Sequence, residues 1–316
     1  MLRRMPLRYV VLDFDGTCTQ IDAAHAGFLA SYREILEDAN GMARDGLASA
    51  WKKAVEEVRA ASPHAGWTLS EAPSTAPAAA DPYILAGEAS ALLFRKRTIR
   101  TMPGDAYKRA YTANPAPWRP EVPEVLAQLV ERGLQVGFIS NSERFAIEMR
   151  LSDLLHADPL LRGKIFVHGD AAKFKIVELL VGASGPGAAH RARFEQLDGS
   201  VRVDGCRRPI YLRRGKYFEA LCGLLADFEA PGFPIDETIV CGDVWELDLA
   251  MPRALGAPVH LIRRTKPFET YPYELAQMSD PQDASWDLHG LVEHVDRLLG
   301  KAPPKRTGEA AGRRKR

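Results

Sequence analysis

Apolar residues along this chain fall into two periods. Short, largely apolar runs at 9–12, 134–139, 164–167, 238–241 and 259–262 have the length and β-branched content of strands buried on both faces. Between them, apolar positions recur at three- and four-residue spacing. Phe28, Leu29, Tyr32, Ile35 and Leu36 form one stripe, Leu47, Trp51, Ala54, Val55 and Val58 a second, and a third runs over 83–99. Further helices are expected near 145–155, 172–181 and 217–228. Another opens at Pro123, with Val125, Leu126, Leu129 and Val130 as its stripe and Gly133 as its stop. This alternation predicts an α/β fold with a doubly wound parallel sheet, in which ligands sit beyond the carboxyl ends of the strands.

The breaks in the pattern set the expected domains. A mostly helical insertion, 21–116, follows the first strand and ends at Asn114-Pro115-Ala116-Pro117, a strong breaker. Within it, 61–82 is rich in Ala, Pro, Ser and Thr and reads as a mobile loop. The core is then 1–20 plus 117–300, with a small insertion at about 171–209 that includes an irregular stretch and a hairpin turning on Asp204-Gly205. Pro252 is expected in the first turn of a helix. From 301 to 316 there is no apolar face, so a disordered tail is expected, its Arg313, Arg314, Lys315 and Arg316 serving as a solubilising end.

Composition narrows the function classes. At 316 residues and 46% hydrophobic, the chain is able to bury a sizeable core. Lys and Arg number 42 against 41 Asp and Glu, so no global field favours nucleic acid or an anionic membrane. No apolar stretch approaches the ~18 residues of a membrane span, and no signal-peptide core is apparent, which predicts a soluble, unexported, cytoplasmic protein. Cys18, Cys206, Cys222 and Cys241 form no Cys-x-x-Cys pair and no zinc spacing with His, so inert thiols in a reducing compartment are expected.

The candidate chemistry sits at the ends of the predicted strands. The first runs into Asp13-Phe14-Asp15-Gly16-Thr17. Two carboxylates one residue apart at a strand end repel each other and resist burial, and a divalent cation is the simplest answer. Gly16 permits a backbone geometry that a Cβ resists, and Thr17 brings a hydroxyl and an amide to the turn. The second strand ends at Ser140-Asn141, placing a hydroxyl and fresh amides near a helix start, a setting that attracts anions. A third motif, Gly242-Asp243-Val244-Trp245-Glu246-Leu247-Asp248, adds oxygen ligands suited to Mg²⁺. Lys216 opens the helix at 217–228 and supplies an ammonium.

Taken in this order, Asp-x-Asp-Gly-Thr at 13–17, Ser140, Lys216 and Gly-Asp-x-x-x-x-Asp at 242–248 resemble the haloacid dehalogenase superfamily, over roughly 9–20 and 121–262. The resemblance implies a Rossmann-like core with a helical cap domain at 21–116 that closes over the site and selects substrate. It implies Asp13 as the nucleophile that forms an aspartyl-phosphate and Asp15 as the general acid and base. It implies Mg²⁺ held by Asp13, the Asp15 backbone carbonyl and Asp243, with Asp248 in support, and phosphate bound by Thr17, Ser140 and Lys216, to which the Asn141 amide is added. Dehalogenases of the family lack the acid/base Asp, so Asp15 favours a phosphatase. The long gap before Lys216 leaves Lys173 and Lys175 as rivals, with Lys216 preferred because its helix leads into the Asp243 strand.

The expected activity is hydrolysis of a small soluble phosphorylated metabolite. The alternatives are phosphotransfer, as in a phosphomutase, and a non-catalytic binding protein with the same fold. No membrane or nucleic-acid partner is expected, and the sequence leaves the oligomeric state open. In the insertion, Arg95, Lys96, Arg97 and Arg100 read as a solvated face in preference to a site for a second anionic group of the substrate, Asp22 as a cap or substrate contact, and His25 and Trp67 as packed or loop-buried residues in preference to pocket residues.

Overall fold

The computed structural model describes residues 7–68, 75–161, 163–179 and 185–301, without the side chains of residues 157 and 159. The tail from 302 lies outside them.

Eight strands are described: β1 (Tyr9–Leu12), β2 (Gln135–Ile139), β3 (Ile165–His168), β4 (Ser200–Val201), β5 (Ile210–Tyr211), β6 (Thr238–Gly242), β7 (Val259–Ile262) and β8 (Ala284–Ser285). Six of them form a parallel sheet in the order β3-β2-β1-β6-β7-β8, with β1 paired to β2 on one side and β6 on the other. All four residues of β1 are buried because both faces of the sheet are covered. Side chains alternate across a strand, and the two faces show it. Tyr9 and Val11 join one apolar cluster with Val240 and Leu261, while Val10 and Leu12 join another with Val136, Ile239 and Ile262. The strand order reverses at β1, so its carboxyl end is the topological switch point where an open α/β sheet binds ligands.

Four helices leave the sheet after β1: α1 (Ile21–Ala39), α2 (Ala48–Ala61), α3 (Pro82–Arg95) and α4 (Ala106–Ala113). They carry an apolar cluster of their own, built on Phe28, Tyr32, Leu36, Trp51 and Leu93, the residues of the predicted stripes. Asp81 caps α3 by accepting from the Ile84 amide at 2.7 Å. The fourth helix was not predicted, since it is only 8 residues long and its apolar positions are interrupted by Lys108, Arg109 and Thr112. The expected mobile loop at 61–82 falls partly on 69–74, which lie outside the described residues, and over 75–80 the chain is packed instead. Thr75, Ala76, Ala78, Ala79 and Ala80 are buried, and Trp67 donates its amide to the Ala76 carbonyl at 2.8 Å. Small residues here allow close approach to the core; they do not signal flexibility.

The remaining helices follow the sheet: α5 (Val122–Glu131), α6 (Arg144–Ala157), α7 (Arg191–Glu195), α8 (Gly215–Asp227), α9 (Ala250–Ala254), α10 (Pro272–Leu275) and α11 (His289–Leu298). Pro252 lies in the first turn of α9, as expected. The predicted helix at 172–181 is absent over 172–179, which runs irregularly. Positive φ at Asp170 and Ala172, 53° and 43°, turns the chain sharply where that helix was to begin. β4 and β5 pair antiparallel, confirming the hairpin, although it closes on a longer loop than Asp204-Gly205 alone. None of the described helices is long and apolar enough to cross a membrane.

Candidate active site

The carboxyl ends of β1, β2 and β6 bring Asp13, Ser140 and Asp243 to one cavity of about 310 Å³. Asp13 leaves β1 with its amide still bonded to the Cys241 carbonyl at 2.9 Å, so the sheet itself sets the position of the side chain. Gly16 has φ +86°, and a Cβ there would lie 2.3 Å from Asp243 Oδ2. Only glycine lets the β1 turn and the Asp243 carboxylate approach this closely. The turn is further held by Gly16 N donating to Thr19 Oγ1 at 3.1 Å and by Arg119 Nη2 donating to the Gly16 carbonyl at 3.0 Å.

The buried ammonium in this cavity is Lys173. Its Nζ lies 2.5 Å from both Asp13 Oδ1 and Asp248 Oδ1, and the residue is 2% exposed. Lys216, preferred on sequence, is corrected: it is exposed in the first turn of α8 and does not line the cavity. The preference failed because the strand-to-helix order was read as fixed. The chain instead delivers a lysine from the irregular segment directly after β3. Three contacts hold that segment in place. Asn141 Oδ1 accepts from the Lys173 amide at 2.7 Å, and the fully buried Arg214 donates to the Lys173 carbonyl at 2.8 Å and to the Thr75 carbonyl at 2.7 Å.

The two motif aspartates face different partners. Thr17 Oγ1 donates to Asp13 Oδ2 at 3.0 Å. Asp15 accepts from Ser142 Oγ at 2.5 Å and from Tyr111 OH at 3.0 Å. Neither Ser142 nor Tyr111 was singled out from sequence, although Ser142 stands two residues after Ser140. Burial raises both carboxyls above the usual range; Lys173 opposes this at Asp13, and the Ser142 and Tyr111 hydroxyls oppose it at Asp15.

Asp13, Asp243 and Asp248 each place an oxygen within 4.8 Å of the others, a spacing suited to one cation. Asp243 Oδ2 is buried and has no partner among the described residues, while the carboxyl is pushed well up by burial. An orphaned buried carboxylate oxygen beside two others fits a hard divalent ion. Asp248 is otherwise engaged: besides Lys173, it accepts from the Val244 amide at 2.9 Å. It therefore anchors the lysine and the loop that opens the single π-turn Trp245–Leu249. Gly242 is needed for this, since a Cβ there would meet Asp248 Cβ at 2.2 Å.

Ser140 and Asn141 line the cavity, and the Ser140 hydroxyl accepts from the Ser142 amide at 3.1 Å. Trp67 lines it too, whereas His25 does not and packs its ring edge-on against Phe268. Lys175 does not line it either. Arg95, Lys96, Arg97 and Arg100 are exposed, with Lys96 paired to Glu57. Asp22 accepts from Thr265 Oγ1 at 3.2 Å outside the cavity. All four cysteines are free and buried, and burial raises their thiols.

The fold and the motif order make the chain similar to hydrolases of the haloacid dehalogenase superfamily. Similar solved structures include a HAD phosphatase from Thermococcus onnurineus, at 13% identity and a TM-score of 0.45, covering 94% of this chain and 100% of that one. A predicted phosphoglycolate phosphatase from Haemophilus somnus 129PT has 12% identity and a TM-score of 0.47, with 93% and 100% covered. The putative HAD-hydrolase YfnB from Bacillus subtilis, bound to magnesium, has 13% identity and a TM-score of 0.43, with 93% and 99% covered. A dehalogenase is among the similar structures as well. No protein-family model and no curated protein matches the chain. Identities of this order leave the chemistry to be argued from the chain's own residues.

Proposed function

We propose that the chain is a Mg²⁺-dependent phosphomonoesterase of the haloacid dehalogenase type. The observation that carries this reading is the division of labour between the two aspartates. Asp13 is paired with an ammonium, while Asp15 is held by two hydroxyls with its carboxyl raised by burial. A nucleophile next to positive charge and a proton carrier one turn away suit phosphoryl transfer, which demands alignment and charge neutralisation above all.

In this reading an Asp13 oxygen attacks phosphorus and the ester P–O bond breaks, with the Asp15 proton passing to the departing alkoxide. Water then attacks the phosphorus of the aspartyl-phosphate. Asp15 takes up the water's proton, and the bond to the Asp13 oxygen breaks to release phosphate. Lys173 neutralises charge beside Asp13, and the Ser140 hydroxyl and nearby amides hold phosphate oxygens. Asp13 and Asp243 would hold the cation, together with the Asp15 carbonyl that the family resemblance implies. A bound Mg²⁺ would offset repulsion between the carboxylate and the incoming phosphate. Four free, buried thiols suit a reducing, cytoplasmic setting.

The test is phosphate release from a panel of sugar phosphates, nucleotides and an aryl phosphate, with Mg²⁺ and with chelator, beside Asp13→Asn. Metal-dependent release that the variant loses is the expected result. Isomerised ester without free phosphate would instead identify a phosphotransferase.

A further inference from the structure

The cavity has two unlike halves. One holds Asp13, Asp243, Asp248, Lys173 and Ser140. The other comes from the 21–116 insertion, as Trp67, Tyr83, Ile84 and Tyr107 with one further carboxylate, Asp81, and Phe174 packs against Trp67 there. Tyr111, whose hydroxyl donates to Asp15 at 3.0 Å, packs its ring against Tyr83 and Tyr107 with centroids 5.5 and 5.7 Å apart, so these rings stand beside Asp15 in the cavity that Asp81 also lines. Tyr83 and Tyr107 themselves meet edge to face, with ring centroids 5.9 Å apart. Since Asp15 is read as the group that protonates the leaving alcohol, this second half is where the alcohol part of an ester would lie.

Its charge is one-sided. Five carboxylates line the cavity, and among the described residues Lys173 is the one Lys, Arg or His that lines it with them. Three arginines stand behind the walls but are already engaged, Arg214 by the Lys173, Thr75 and Tyr211 carbonyls. Arg264 donates to Glu274 and to the Phe268 and Asp243 carbonyls. Arg150 lies over the Phe14 and Trp118 rings and donates to the Ala116 carbonyl. Asp81 accepts from the Ile84 amide through Oδ1 and forms no ion pair among the described residues. Tyr83 OH is buried and likewise has no hydrogen-bond partner among them.

An alcohol bearing a second anion would meet no cation here and would face Asp81 directly. A cationic alcohol would meet a carboxylate and electron-rich rings, the combination that recognises ammonium groups. We propose that the enzyme selects phosphate esters of small amino alcohols, with Asp81 taking the ammonium and the Tyr83 and Tyr107 rings flanking it. At about 310 Å³ the cavity is at the small end for ligand sites, which suits a short aminoalkyl chain. This proposal rests on the phosphomonoesterase reading.

The experiment compares kcat/KM for three esters on the full chain: 2-aminoethyl phosphate, its neutral isostere n-propyl phosphate, and phosphoglycolate. The expected order is amine above propyl by at least about tenfold, with the carboxylate last. Asp81→Asn keeps a side-chain oxygen for the α3 cap, and Asp81→Ser is the second variant should the first fold poorly. Either is expected to bring the amine-to-propyl ratio within about threefold of one, the loss of a contact of that strength. Comparable rates for all three esters, or a preference for the carboxylate, overturn the amine selectivity and leave the phosphatase reading standing. Absence of hydrolysis from every ester sinks the phosphatase reading. Calorimetric binding to Asp13→Asn then decides the rest: tighter 2-aminoethyl phosphate than n-propyl phosphate supports the ammonium site, and equal affinity refutes it.

Discussion

Replacing Lys173 by Met removes the ammonium but keeps an unbranched side chain of similar length in its channel. Its Nζ lies 2.5 Å from both Asp13 and Asp248, at 2% exposure, so the substitution leaves two buried carboxylates unpaired beside Asp243. Breaking a buried pair by deleting one partner costs about 3–5 kcal/mol. The cost depends on pH. Without the ammonium, the Asp13 carboxyl, already raised by burial, rises further above its value in the unfolded chain, so the penalty is largest at pH 8 and shrinks as it protonates toward pH 5. Mg²⁺, if held by Asp13 and Asp243, should recover part of it at pH 8. The assay is urea denaturation at pH 5 and pH 8, with and without Mg²⁺, together with phosphate release. Lys216→Ala is the control: on an exposed position its effect is expected within about 0.5 kcal/mol, with turnover unchanged. Turnover lost with Lys216→Ala and kept with Lys173→Met would refute the assignment.

Ser142→Ala and Tyr111→Phe each remove a hydrogen bond that favours ionised Asp15. Each should move the alkaline limb of the kcat/KM profile upward, by about 0.7 of a pH unit for a bond worth ~1 kcal/mol, and an unmoved limb would deny Asp15 the role of acid. Gly16→Ala drives a Cβ against Asp243 at φ +86°, so a loss of about 1–3 kcal/mol in stability and of metal-dependent turnover is expected, read by denaturation and phosphate release. Asp81 is raised to about 6, chiefly by burial, so its ionisation opposes folding and stability from this group is lost as pH rises from about 4 through 6. Asp81→Asn should therefore be more stable than the parent at pH 8, by at most about 3 kcal/mol, and equal to it near pH 4; denaturation midpoints that do not converge at low pH would contradict this.

The sheet was readable because β1, β2, β6 and β7 are almost wholly buried, and burial of that kind leaves a short, largely apolar run. The motifs at Asp13 and Asp243 were readable for a related reason: each strand ends directly in its carboxylate, so position in sequence fixes position in space. Lys173 obeys no such rule. It reaches the cavity through a turn with positive φ at Asp170 and Ala172, and its place depends on Asn141 and Arg214, which come from elsewhere in the chain. Tyr111 and Tyr107 were hidden by the weak apolar pattern of α4, whose aromatic residues serve the cavity as well as the helix cluster. Asp81 was not singled out from the sequence, and its local duty is to cap α3. Its second role arises because α3 begins at the cavity wall, a fact of tertiary placement that no local pattern encodes. The core chemistry thus follows from strand ends, whereas selectivity is assembled from loop and helix residues whose local signals describe other duties.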